Sequence, residues 1–196
     1  MPTKPIRLSQ NADADALLTR DPLALLVGMV LDQQIPLEHA FTSPLVLTQR
    51  LGHDLDAKEL ATYDPEAFAT LFATPPALHR FPGSMAGRVQ AMAQVLVDEY
   101  GGDPARLWDT KDAKELFRRI KALPGFGDAK ARIFVALLGK QLGVRPAGWR
   151  EVSAPYGEDG SAMSVADITG PDSLLEVRAY KQQMKAAAKA AAKAKG

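Results

Sequence analysis

The run Leu123-Pro124-Gly125-Phe126-Gly127-Asp128-Ala129-Lys130 limits the fold of this chain more than any other stretch. Upstream, residues 110–122 place Leu116, Phe117 and Ile120 at helical spacing, with Lys111, Lys114, Arg118, Arg119 and Lys121 on the other faces. Downstream, residues 131–141 put Ile133, Phe134, Leu137 and Leu138 on one apolar side. Pro124 stops the first helix, while Gly125 and Gly127 allow a tight connection and leave their amides uncovered. Such a hairpin aims bare N–H groups and a helix N-terminus at one point, where an anion would sit. An ordinary helix–helix turn has the same outline, so local charge decides between them. Residues 106–150 hold eleven Lys/Arg against four Asp/Glu, a net of +7, whereas residues 1–105 carry a net of −6. A basic segment built around amide donors inside an acidic body suits a phosphodiester backbone.

The L-P-G-F-G run, with Ala129 and Ala131 after it, resembles the hairpin of the helix-hairpin-helix (HhH-GPD) DNA glycosylases, the superfamily of endonuclease III and 3-methyladenine glycosylases. Two further stretches are similar to that family in order and spacing. The apolar helix over 22–34 ends Leu31-Asp32-Gln33-Gln34, with Gln34 at the place of the Gln that fills the duplex where a base has left, and Asp32 in place of a Ser. A glutamine amide suits that task because it offers both donors and an acceptor. Met85 to Met92, containing Arg88 and followed by Gly101-Gly102, matches the small-residue, basic helix that precedes the hairpin. The resemblance covers about Pro22 to Gly143.

What the resemblance implies is an all-α, two-lobed glycosylase fold around a DNA-binding cleft. One lobe spans 22–140 and ends in the hairpin; residues 1–21 with 141–184 form the other. DNA contacts fall on Gly125, Phe126, Gly127, Ala129, Lys130, Gln34 and Arg88, mainly to phosphates. The hairpin backbone near Leu123 and Gly125 is the place for a monovalent cation, the only cofactor implied. The family aspartate that works on the sugar belongs near 145–151, and this chain has none there. Glu151 is the nearest carboxylate, with Asp159 and Asp167 as alternatives, and Trp149 and Tyr156 could stack on an extruded base. The lysine nucleophile of bifunctional members falls at Ala129, so a monofunctional enzyme without lyase activity is implied. The missing aspartate keeps a second class open, a non-catalytic relative that recognises DNA structure or lesions. A helical protein–protein adaptor is a third.

The rest of the chain agrees with an all-helical reading. No segment alternates apolar and polar residues in the manner of a strand, and Asp-Pro pairs at 21–22, 64–65 and 103–104 each place a capping acceptor before a first-turn proline. Helices are expected near 12–19, 22–34, from Pro36 with an interruption at Pro44, at 56–62, 65–72, 75–80 and 85–100, a single turn at 104–108, the hairpin pair, and one from Pro171. Residues 144–170, rich in Gly and Pro, read as loop. The Lys/Ala tail at 185–196 has no apolar stripe to dock and reads as frayed, with lysines able to touch phosphates or merely aid solubility. With no cysteine, a cysteine-ligated iron–sulfur cluster is excluded. His39, His53 and His79 lie at no ligand spacing. No signal peptide or membrane-length apolar run is apparent, so a soluble, monomeric, cytoplasmic or nucleoid-associated protein is expected.

Overall fold

A computed structural model describes residues 5–193. Among these the chain is all-helical: two-thirds of it lies in helices and no strand forms. The helices are α1 (Ala12–Arg20), α2 (Pro22–Leu31), α3 (Leu37–Leu51), α4 (Ala57–Thr62), α5 (Pro65–Ala73), α6 (Pro82–Tyr100), α7 (Ala113–Lys121), α8 (Asp128–Gln141), α9 (Trp149–Ser153) and α10 (Pro171–Lys193). Short 3-10 turns cover Pro104–Leu107 and Val165–Asp167.

The Asp-Pro pairs behave as helix starts. Asp21, Asp64 and Asp103 accept from the amides of Leu23, Ala67 and Ala105, each such cap being worth about 1 kcal/mol. α7 is capped by Asp112, which accepts from Lys114 N. Two expectations fail for traceable reasons. Pro44 lies inside a continuous α3 and does not interrupt it; the neighbouring Ser43 is buried and its hydroxyl donates to the carbonyls of His39 and Leu78. Residues 75–80 form no helix, because side chains from α3 claim their carbonyls. Arg50 donates to Thr74 O and Pro76 O, and the His39 ring pairs with Ala77 O.

α2 is the central rod. Nine of its ten residues are buried, so it reads as apolar on every face, as a helix inside a core must. The Phe41 ring of α3 lies flat against Gly28, where a Cβ would come within 2.7 Å of the ring. α1, α3, α6 and the 104–107 turn pack around this rod, and α4 and α5 pack on α6. α7, α8 and α9 form a second group, joined to the 165–167 turn through α8. A single buried cluster runs through both groups, from Ile6 to Val177. α1 packs on α2 and α3, while α9 packs on α7 and α8 and the 165–167 turn on α8. α10 buries only Leu174 and Val177 and continues as helix to Lys193, where a frayed tail was expected; from Lys181 onward it is exposed. None of these helices is long and apolar enough to cross a membrane.

Candidate nucleic-acid interface

α7 and α8 form the hairpin that the glycines foretell. Gly125 has φ +88°, a left-handed conformation, and its Cα faces Val30 at the end of α2, so the hairpin tip is seated on the rod. Phe126 N donates to Leu123 O at 3.0 Å and closes the turn. α8 starts without a side-chain cap, and the amides of Gly125, Gly127, Asp128, Ala129 and Lys130 donate to no acceptor among the described residues. Gly127, Asp128 and Ala129 are exposed. Several N–H groups are therefore left without a partner at the N-terminus of this 14-residue helix. Asp128 in that first turn is paired with Arg132 at 2.8 Å and Lys121 at 3.0 Å. These partners, Arg132 first, hold its carboxyl below the usual range and offset its charge at the tip.

Not every residue expected at this surface is there. Phe126 and Leu123 are buried, Phe126 edge-on to Phe134 at 5.8 Å, so the phenyl ring anchors the turn from inside. The Lys130 ammonium reaches back to the end of α2, donating to Met29 O at 2.6 Å and Asp32 O at 3.3 Å. It ties two elements together and is not a free phosphate ligand. Burial lowers its pKa, with Asp32 opposing. Much of the basic segment is likewise spent internally. Arg118 and Arg119 clamp Glu115 and hold its carboxyl down to about 2. Arg145 donates to Gly139 O, and Lys140 pairs with Asp167 at 2.5 Å. Of the net +7 over residues 106–150, which already includes Glu115, two charges are offset by acids outside the stretch, Lys140 by Asp167 and Arg150 by Asp159.

The turn after α2 is held from inside. Gln33 donates to Val30 O at 2.7 Å and accepts from Arg88 at 2.9 Å, which gives Arg88 a supporting place behind the turn. His79 Nδ1 accepts the Phe81 amide, so its Nε2–H donates to Gln33 O at 2.8 Å. Burial lowers the His79 pKa and favours this neutral form. The constraint leaves Gln34 at φ +57°, uncommon for a residue with a side chain, and exposed. Phe81, 43% exposed beside this turn, is an aromatic that sequence reading passed over; only its place next to a proline hinted at a helix start.

A pocket of about 390 Å³ opens between the two turns. Asp32, Gln33, Gln34 and Ile35 line one side, Ala129, Lys130 and Ile133 another, and Val165 and Lys181 the rest. The structure thus brings together Gln34, Ala129 and Lys130, and adds Asp32, which sequence reading treated only as a substitution within the glutamine motif. The three carboxylates expected to do chemistry are elsewhere. Glu151 is exposed on α9, with an oxygen near Gly148. Asp159 is exposed and paired with Arg150 at 2.7 Å. Asp167 caps its own 3-10 turn: it accepts from Met163 N and Ser164 N while binding Lys140 and Ser161. Trp149 is buried on Gly139, where a Cβ would come within 2.3 Å of the indole, so it packs α9 onto α8 and does not reach the pocket. Half-buried Tyr156 packs against the core, also away from the pocket lining.

Among the described residues no cluster of His, Asp and Glu is arranged to hold a metal ion. Leu123 O, at the expected cation position, accepts the Phe126 amide and keeps a second lone pair. Comparison with protein families, curated proteins and solved structures returns no match.

Proposed function

We propose that this protein binds duplex DNA and excises a damaged or mismatched base, acting as a monofunctional helix-hairpin-helix glycosylase. The observation that carries this reading is the convergence of three features on one pocket: bare amides at the α8 N-terminus, Gln34 on a constrained turn, and a cavity large enough for a nucleobase. In this reading the hairpin amides hold a phosphate, the Gln34 amide fills the gap in the stack, and the released nucleotide enters the pocket. A monovalent cation would sit on the Leu123 and Gly125 carbonyls, adding positive charge beneath that phosphate. Ala129 at the start of α8 offers no amine, which supports simple hydrolysis without strand cleavage.

Incubation with duplexes containing uracil, hypoxanthine, thymine glycol, an oxidised guanine or an N-alkylated adenine tests this directly. Alkali-labile sites should appear in at least one, and binding should weaken steeply with salt. Release from none of them, with tight lesion-selective binding, would favour a non-catalytic DNA-recognition protein. That second reading draws on the placement of Glu151, Asp159 and Asp167 outside the pocket. Binding that is absent or indifferent to salt would remove DNA as the partner.

A further inference from the structure

We propose that Asp32 is the carboxylate that meets the extruded nucleotide and drives cleavage of the N-glycosidic bond. This rests on the glycosylase reading and deepens it, moving the reacting group from the segment after α8 to the end of the rod α2. Among the acids considered for the chemistry, Asp32 is the one that lines the pocket. Glu38, in the adjoining cleft, is bound by Arg178.

Asp32 is a counter-charge to the half-buried Lys130 ammonium, but it caps no helix N-terminus. It follows the last residue of α2, the end at which a helix dipole disfavours a carboxylate, although the last carbonyls are bonded to Asp32 N, Gln33 and Lys130. Its side chain accepts no hydrogen bond among the described residues, unlike the capping aspartates 21, 56, 64, 103 and 112. The chain instead holds the position by other means. Lys130 binds the main-chain oxygens of Met29 and Asp32, and Gln33 and His79 fix the following residue. A carboxylate with no hydrogen-bond partner among the described residues, on a residue that lines a cavity, is available to a ligand.

Its surroundings fit cationic chemistry at a sugar. A phosphate held by the Ala129 and Lys130 amides would border the pocket that Asp32 also lines, bringing its sugar toward Asp32. The C1′–N bond then breaks with its electron pair going to the base nitrogen, and the positive charge left on C1′ and the ring oxygen is stabilised by the Asp32 carboxylate. A water oxygen adds to C1′, one of its protons passes to Asp32, and that proton is delivered to the departing base. The products are the free base and an abasic hydroxyl, with no reactant besides water. Burial pushes the Asp32 carboxyl above the ordinary carboxylate range, while Lys181 and Lys130 pull it back. The charged groups around it are Lys130 from α8, Lys181 and Arg178 from α10, and Glu38 from α3, the last two bound to each other.

The test uses the full chain and whichever duplex in the panel yields base release. Asp32→Asn should lower single-turnover release by about 10²- to 10⁴-fold, with affinity for a duplex carrying a non-cleavable abasic analogue within about twofold of the wild type. Glu151→Gln should release base at the wild-type rate. Asp32→Glu, which keeps the charge, should recover part of the rate and shift the acid limb of its pH profile. Near-normal release by Asp32→Asn would overturn the assignment while leaving the glycosylase reading intact. So would equal losses of affinity and rate, since they would make Asp32 a binding group. A wild-type protein silent on every duplex would overturn the glycosylase reading, and the Asp32 assignment with it.

Discussion

The turn over 122–127 and the turn over 32–36 border the same pocket, yet they hold their shapes by opposite means. The hairpin turn relies on the backbone: Gly125 takes φ +88° at little cost, one internal hydrogen bond closes it, and the amides that follow stay unpaired. The turn after α2 relies on side chains brought from three other places, with Lys130, Arg88 and His79 bonding to residues 29–33. It forces a glutamine into a left-handed conformation that glycine would adopt freely. One turn is ready to receive an anion because nothing covers it. The other presents particular side chains because much of the molecule is spent aiming them.

That contrast can be broken most severely at Lys130. Lys130→Met removes the ammonium and leaves the buried oxygens of Met29 and Asp32 without their donor. Urea denaturation should show a loss of about 2–3 kcal/mol. A change below about 0.5 kcal/mol would mean that the turn after α2 stands without its clasp. The exchange of residue types between the turns comes next. Gly125→Ala should cost about 1–2 kcal/mol from backbone strain alone, since its new Cβ would meet Val30 at an ordinary 3.5 Å. Gln34→Gly should stabilise by up to about 1 kcal/mol while abolishing base release. A destabilised Gln34→Gly would show that the left-handed glutamine is not under strain. The smallest effect concerns pH. His79 has a lowered pKa, so the unfolded chain binds more protons as pH falls through 6.5, and stability is lost in that direction. Amide protection at residues 32–35, relative to the intrinsic exchange rate at each pH, should fall below pH 6.5 while that at 122–127 stays unchanged.

The same contrast explains what could be read from the residues alone. The hairpin is spelled out locally by Pro124, Gly125 and Gly127 between two apolar stripes, and the Asp-Pro helix starts are equally local. Residues 75–80 were misread because Arg50 and His39, more than twenty positions away, take carbonyls that a helix would have used. Basic residues were overvalued because sequence does not show that Arg119, Lys140 and Arg145 have internal partners. Trp149 looked like a stacking residue because nothing in its neighbourhood reveals that Gly139 makes room for it. Asp32 was in view from the start, but its importance depends on a pocket whose walls come from α2, α8, the 165–167 turn and α10. No periodicity within one element could have assembled that wall.

α2 has no outward face: nine of its residues lie within the protein and its last carbonyls are gripped by a lysine 98 to 101 positions away. A rod of this kind cannot loosen by itself, because freeing it requires parting the helices on every side. The residues at its end share that persistence, and so does the start of α8, which Lys130 and Phe126 tie to the same core. Both borders of the pocket therefore stand or fall with the core, and a partly opened molecule would retain neither aim nor pocket.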